Sequence, residues 1–210
     1  MKERYFTAHR LALLGMLSAI ILILGLTPLG FIPIPPLGAT LTHLPTILAG
    51  ILGGPIAGAI MGLLFGLTSI YSAIVNPQLL SVLFYNPLVS IVPRILVGLV
   101  AAWTYALFAR IFKADKNRLR VGTAASISAI CGTATNTILV LGMIYLLYAQ
   151  RYADALEMPR GAVVGSLLGI AGMQGIPEAL IAAAVTVPVV LGVQWISPRL
   201  FQKSKRGNTP

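Results

Sequence analysis

The stretch NPLVSIVPRILVGLVAAW, residues 86–103, is apolar along almost its whole length and carries a single charge, that of Arg94. A run of about 20 apolar residues is long enough to cross the hydrocarbon core of a bilayer as a helix. A guanidinium inside such a helix costs about 2.5–3.5 kcal/mol on insertion scales unless it has a partner. The stretch therefore predicts a membrane span, and the partner of Arg94 is the first question about function.

Composition places the whole chain in the membrane. Of its 210 residues, 57% are hydrophobic and 10% are charged, and the mean hydropathy is +0.90. Soluble domains carry roughly 25% charged residues, so this chain lacks the polar surface that keeps a domain in water. We predict an all-α integral membrane protein that folds as a single domain over residues 1–210, with room for about six spanning helices.

Six apolar segments are separated by turn residues or charged tracts. They cover residues 11–27, 39–52, 56–75, 88–112, 121–148 and 162–196. The last is too long for one straight span and contains Gly175-Ile176-Pro177, so we expect a break or kink there. The first apolar run has no small-residue cleavage site after it, which favours a retained helix over a signal peptide.

The distribution of charge predicts the orientation. Although the net charge is +10, the basic residues form short tracts at helix ends, which argues against a nucleic-acid partner and for contact with membrane lipids. The tracts lie within residues 2–10, 110–120 and 199–206. A six-helix arrangement puts all three on one side, and the positive-inside rule makes that side the cytoplasm. Both termini are therefore predicted to be cytoplasmic.

Small residues recur at helical spacing in two places. Glycine returns every four residues across the second and third segments, at Gly50, Gly54, Gly58, Gly62 and Gly66. Such a face lets another helix backbone approach closely, either within the bundle or in a second protein. In the first segment, Ala8 and Ala12 begin a stripe that Gly15 and Ala19 continue. Internal packing and docking of a partner are both open for this stripe.

Three alternatives account for Arg94. It pairs with Glu178, the acid within a predicted span, and serves structure alone; it extends to the outer headgroups; or it binds an anionic ligand, most simply a carboxylate held by two parallel N–H bonds. Glu178 is correspondingly an ion partner, a proton site or a ligand for hydroxyl and amide groups. We expect Arg94, Asn136 and Glu178 to border one cavity in the outer half of the bundle.

The remaining polar residues in or beside the spans are His43, Asn86, Asn136 and Gln174. Asn136 must satisfy its amide in an apolar helix, either on a neighbouring backbone or on a ligand. With one other histidine, His9, and one cysteine, Cys131, the sequence predicts no metal site, cofactor or disulfide. The sequences H-E-x-x-H, G-x-S-x-G and the Walker loop are absent, which argues against an enzyme.

Two stretches carry a resemblance to a known family. ATLTHLPTILAGILGGPIAGAIMGLLFGLTSI, residues 39–70, resembles the second and third helices of the substrate-binding S-components of energy-coupling factor (ECF) vitamin transporters. NPLVSIVPRILVGLVAAW resembles their fourth helix. The step from Ala8 to Ala12 is similar to the small-residue motif by which such components dock on the transmembrane T-component.

The resemblance implies a bacterial inner-membrane subunit that binds a vitamin at its outer face and delivers it through a T-component and two cytoplasmic ATPases. THLP and PRILVG are most similar to the pantothenate branch, while the hydroxymethylpyrimidine, riboflavin and folate branches share the scaffold. Residues 28–38 and 76–87 then resemble lids over the site. The implied substrate-binding residues are Arg94 for the carboxylate, with Asn136, Gln174, Glu178, Asn86 and His43.

Two other functions remain open from the sequence. A stand-alone proton-coupled carrier would use Glu178 as its proton site, although we find no pair of related halves of the kind that secondary transporters usually show. A structural assembly factor would bind no small molecule. Measurements of binding and of uptake separate the three functions.

Overall fold

A computed structural model describes residues 8–27, 30–32, 39–77, 79–114 and 117–196. Within these ranges the chain is helical apart from one short hairpin. The helices are α1 (Ala8–Leu26), α2 (His43–Gly53), α3 (Pro55–Val75), α4 (Pro87–Ser90), α5 (Val92–Ile111), α6 (Arg118–Ala155), α7 (Val163–Ile170) and α8 (Ile176–Ile196). Strands β1 (Phe31–Ile32) and β2 (Ala39–Thr40) pair antiparallel. Two 3-10 turns, Ser81–Tyr85 and Arg160–Ala162, and a π-helical turn, Ala171–Gly175, connect the helices.

The helices coincide with the six predicted segments. Helices α4 and α5 together form the fourth, and α7, the π turn and α8 form the sixth. In the described part of the chain, four stretches are long and apolar enough to cross a bilayer: Pro55–Val75, Pro87–Ile111, Arg118–Ala155 and Arg160–Gln194. Two shorter apolar helices cover Leu11–Leu26 and His43–Gly53. The helical class is confirmed, whereas the cytoplasmic placement of the termini stays a prediction.

Two boundaries differ from the prediction. Residue Ala39 begins strand β2, and the second helix starts only at His43, because Ala39 and Thr40 pair with β1. The fifth helix, α6, does not end at Tyr148 but continues to Ala155. Tyr148 is nevertheless non-helical, with φ −138° and ψ 19°, so the sequence pattern detects an interruption of this helix and not its end.

The expected break in the last segment is the π-helical turn Ala171–Gly175. Pro177, two residues after this turn, has no N–H to donate to the carbonyl four residues before it, which favours a local departure from α-helical hydrogen bonding. The irregular turn contains Gln174 and directly precedes the turn that carries Glu178. The predicted interruption therefore lies at the depth of the polar residues.

Glycines bring the backbones of α3 and α5 into contact. A Cβ added at Gly98 of α5 would overlap the carbonyl of Gly58 of α3, and one added at Gly62 would overlap the carbonyl of Arg94. Gly50 also faces α5, and Gly66 faces Ser90 and Ile91 at the junction of α4 and α5. These four members of the glycine repeat serve internal packing, whereas Gly54 has φ +87° and separates α2 from α3. Of the two predicted uses of this repeat, the fold therefore shows close packing within the bundle.

The buried apolar side chains form two clusters. The larger joins α1, α2, α3, α5, α6 and α8 and includes Ile47 and Val97. The smaller joins the 3-10 turn Ser81–Tyr85 to the C-terminal half of α6 and to α7, and it includes Leu83 and Tyr152. The smaller cluster therefore packs the segment between α3 and α4 against α6 and α7.

We expect Gly98→Ala to destabilise the bundle, because the added methyl group would meet the Gly58 backbone, which cannot rotate away. Overpacking of this kind costs about 1–3 kcal/mol. The matched control is Gly165→Ala in α7, where nothing lies within 4 Å of the added Cβ. Thermal unfolding of the detergent-purified protein checks this: the Gly98 variant should unfold several degrees below the control. Equal unfolding temperatures would show that α3 and α5 do not cross this closely.

Candidate functional site

A cavity with a volume of about 110 Å³ lies among α3, α5, α6 and α8. Its walls come from the C-terminal half of α3, the first turn of α5, the middle of α6 and the start of α8. These parts lie at the end of the bundle remote from the connection between α5 and α6.

Arg94 contributes the positive charge of the cavity wall. It lies in the first turn of α5, and its side chain is 4% exposed. Nη1 donates a hydrogen bond of 2.6 Å to the carbonyl of Val89, and Cζ lies 5.3 Å from the ring centre of Phe65 and 5.5 Å from that of Phe84. Nε is buried and has no hydrogen-bond partner among the described residues. The guanidinium is thus held in place with part of its donor capacity unused.

The structure separates the three alternatives for Arg94. A side chain that is 4% exposed does not extend to lipid headgroups. Within the described residues Arg94 makes no ion pair with Glu178, since it donates to Val89 while Glu178 accepts from Thr40. Both charged residues line the same cavity. Binding of an anionic ligand stays a prediction, and it is the alternative that this geometry favours.

Glu178 joins the cavity to the hairpin that precedes α2. Its side chain is 6% exposed, and Oε1 accepts a 2.7 Å hydrogen bond from the backbone N–H of Thr40 in β2. The Thr40 hydroxyl in turn accepts from the N–H of Thr42 at 3.2 Å. Thr40 and Thr42 line the cavity. One carboxylate therefore both lines the site and fixes a strand of its wall.

Asn136 and Gln174 supply amide groups to the same cavity. Asn136 lies in the middle of α6 and is 6% exposed, and its Oδ1 has no hydrogen-bond partner in the described part of the chain. Gln174 lies in the π turn and is also buried. Both residues line the cavity. Four of the six residues predicted for the site, Arg94, Asn136, Gln174 and Glu178, are thus brought together.

His43 and Asn86 do not line this cavity. Asn86 caps α4 by accepting from the N–H of Leu88 at 2.9 Å, and its Nδ2 donates to the hydroxyl of Tyr148 at 3.0 Å. Both polar ends of Asn86 thus hold α4 against the interrupted turn of α6. His43 is fully buried at the start of α2, and neither ring nitrogen has a hydrogen-bond partner among the described residues. Neither placement favours direct contact with a ligand in the cavity.

Sequence reasoning did not find the aromatic and hydroxyl parts of the wall. Phe65, Phe84, Thr68 and Ser72 all line the cavity. Phenylalanines are common in every apolar span, so their residue type carries no signal. The hydroxyl of Thr68 donates back to the carbonyl of Phe65 at 2.9 Å, the local bond that makes threonine uninformative in helices. Among the described residues, no group of three His, Cys, Asp or Glu side chains could hold a metal ion.

Comparison with known proteins gives two findings. The protein-family model described as "ECF transporter, substrate-specific component" matches residues 9–190. The pantothenic acid transporter PanT of Lactococcus lactis subsp. cremoris (strain MG1363) is 31% identical over an alignment of 169 residues, and the match covers 74% of this chain and 77% of that protein. The family-model match covers α3, α5, α6 and most of α8, the helices that form the cavity.

We expect Glu178→Met to loosen the β1–β2 hairpin, because the N–H of Thr40 loses its charged acceptor. Hydrogen bonds to charged groups contribute about 1.5–3 kcal/mol, so amide exchange at Thr40 should accelerate on the order of tenfold or more. Glu178→Gln keeps an oxygen acceptor, so its rate of amide exchange at Thr40 should lie between those of Glu178→Met and the wild type. The measurement is hydrogen–deuterium exchange by mass spectrometry, with the exposed Glu157→Met as control. If amide exchange at Thr40 in Glu178→Met proceeds at the wild-type rate, the hydrogen bond to Glu178 does not hold the hairpin.

Proposed function

The chain belongs to the family of ECF transporter substrate-specific components, and from this premise we propose that it is the pantothenate-binding subunit of a bacterial ECF importer. Membership in this transporter family and the apolar helices make it a multi-pass membrane protein. The observation that carries the proposed substrate is the buried guanidinium of Arg94, which lines the cavity without an acidic partner among the described residues. The relative named as a pantothenic acid transporter supports the same substrate.

The carboxylate of pantothenate binds at Arg94. Nη1 is already bonded to the Val89 carbonyl, and Nε is buried without a partner among the described residues, so the guanidinium keeps donor capacity for a carboxylate where Arg94 lines the cavity. A carboxylate that accepts two N–H bonds from one guanidinium forms the strongest hydrogen-bonded pair available to these groups. An anion in the cavity also supplies the countercharge that a buried guanidinium requires.

The amide and hydroxyl groups of pantothenate meet the opposite side of the cavity. Asn136 and Gln174 offer amide donors and acceptors, and the second carboxylate oxygen of Glu178 accepts from a hydroxyl. Leu80, Val140 and Ile170 add apolar lining, which suits the methyl groups of this vitamin. The ligand thus has its anionic end at Arg94 and its hydroxyl end at Glu178.

Transport follows from binding and docking and needs no covalent chemistry in this chain. The subunit captures the vitamin at the outer face of the bacterial inner membrane, with both termini in the cytoplasm. It then associates with a T-component and two ATPases, which supply the energy. The stripe on α1 supports docking, because Ala12 and Ala19 are exposed and nothing lies within 4 Å of a Cβ added at Gly15. The stripe begins with Ala8, the first residue of α1, whose side chain lies outside the described ones.

We expect purified wild-type protein to bind pantothenate and Arg94→Ala to lose at least about 30-fold in affinity. Removing one member of a buried, hydrogen-bonded charge pair costs about 2–5 kcal/mol. Arg94→Lys keeps the charge but lacks the planar guanidinium that binds a carboxylate through two N–H groups, so its affinity should lie between those of the wild type and Arg94→Ala. Isothermal titration gives the dissociation constants, and size-exclusion chromatography shows whether each variant is monodisperse. Unchanged binding in monodisperse Arg94→Ala would refute the proposed carboxylate site.

Replacing Ala8 and Ala12 with tryptophan should leave pantothenate binding intact but prevent assembly, because bulky side chains keep the T-component helix from close approach. Co-purification with the T-component and ATPases reports assembly, and uptake into vesicles reports transport. The control is Leu168→Trp on α7, an exposed position away from α1. Pantothenate uptake by this chain alone, driven by a pH gradient, would instead establish a proton-coupled carrier.

A further inference from the structure

The ring of Phe84 reaches Arg94 from a segment that is separate from both α3 and α5. Phe84 lies in the 3-10 turn Ser81–Tyr85, and its ring centre is 5.5 Å from Cζ of Arg94. The backbone of this turn is held in place, since the carbonyl of Phe84 accepts a 2.6 Å hydrogen bond from the hydroxyl of Ser90. Leu80, just before the turn, and Leu83, within it, are buried in the smaller apolar core. The ring therefore has a fixed position over the guanidinium.

Phe65 provides a second ring from α3, 5.3 Å from the same carbon atom. The close passage of Gly62 against the Arg94 carbonyl sets the distance between α3 and the first turn of α5. A guanidinium over an aromatic face is attracted by the ring quadrupole, and the attraction grows when the pair is removed from water. Arg94 thus has one carbonyl and two rings as its fixed contacts.

We propose that Phe84 is a positioning residue that makes the site selective for carboxylates. This inference rests on the proposed function, and it adds that the Phe84 ring holds the guanidinium in the orientation in which Arg94 lines the cavity. Without the ring, the long arginine side chain gains rotamers, and each carboxylate that binds must first order it. A ligand that lacks a carboxylate does not use Arg94 in this way and is insensitive to the ring.

The position of Phe84 distinguishes a role in orienting Arg94 from simple filling of space. A phenylalanine that only filled space would change the affinity for all ligands of the same shape together. Phe84 lines the cavity and lies over the one cationic group in its described wall. Loss of its ring should therefore act on the charged end of the ligand and spare the remainder.

The test compares pantothenate with pantothenol, in which a CH₂OH group replaces the carboxylate. For Phe84→Met, which removes the ring and keeps an apolar side chain, we expect the ratio of the two affinities to fall about tenfold, mainly through pantothenate. Phe84→Tyr retains an aromatic face and should recover the wild-type ratio. Phe108→Met, the same change in a half-buried phenylalanine outside the cavity lining, is the control.

A second readout needs no vitamin. Phenylglyoxal modifies accessible guanidinium groups, and peptide mass spectrometry gives its rate at Arg94. This rate should rise in Phe84→Met and stay at the wild-type value in Phe108→Met. An unchanged affinity ratio together with an unchanged modification rate would overturn the inference. A wild-type protein that binds no pantothenate would instead overturn the proposed substrate, and the modification rate would still decide the role of Phe84.

Discussion

A guanidinium that is almost fully buried in an apolar bundle is the constraint on which the rest of the site depends. Removing such a charge from water costs several kcal/mol, and the cost is recovered only through good hydrogen bonds or a countercharge. Arg94 recovers part of it from the carbonyl of Val89 and from the faces of Phe65 and Phe84. Nε is buried and has no partner among the described residues, so we propose that an anionic ligand supplies the remainder where Arg94 lines the cavity. On that proposal, the same side chain affects both the stability of the bundle and the affinity for the ligand.

The helices pack differently in two regions of the bundle. Where Gly58 meets Gly98, the helices touch backbone to backbone and leave no space. Toward the cavity, regular helix gives way to a 3-10 turn before α4, a π turn before α8 and the non-helical Tyr148 in α6. Irregular backbone at membrane depth is tolerated where it is buried in protein or lines a cavity. The site lies at the end of the bundle where the helices are interrupted.

Sequence reasoning predicts the parts of this structure that depend on residue type. Apolar runs predict the helices, and a polar residue within such a run stands out, which is how Arg94, Asn136 and Glu178 are found. The glycine repeat predicts a close helix crossing but not whether the neighbour is α5 or another protein. The hairpin before α2 depends on the bond between Thr40 and Glu178, which are 138 residues apart, so no local pattern predicts it. No local pattern predicts the role of Phe84 either, because only the tertiary fold brings it to Arg94.

The separation of Arg94 from Glu178 is itself informative. Opposite charges in a low-dielectric bundle attract strongly, so a fold selected for stability alone would let them pair. Here the Val89 carbonyl and the Thr40 N–H each engage one of them, and the cavity borders both. A carboxylate at Arg94 and a hydroxyl at Glu178 would complete both sets of hydrogen bonds with one molecule. Because Glu178 also accepts from Thr40 of β2, a molecule bound at both Arg94 and Glu178 would couple occupancy of the cavity to the position of this strand.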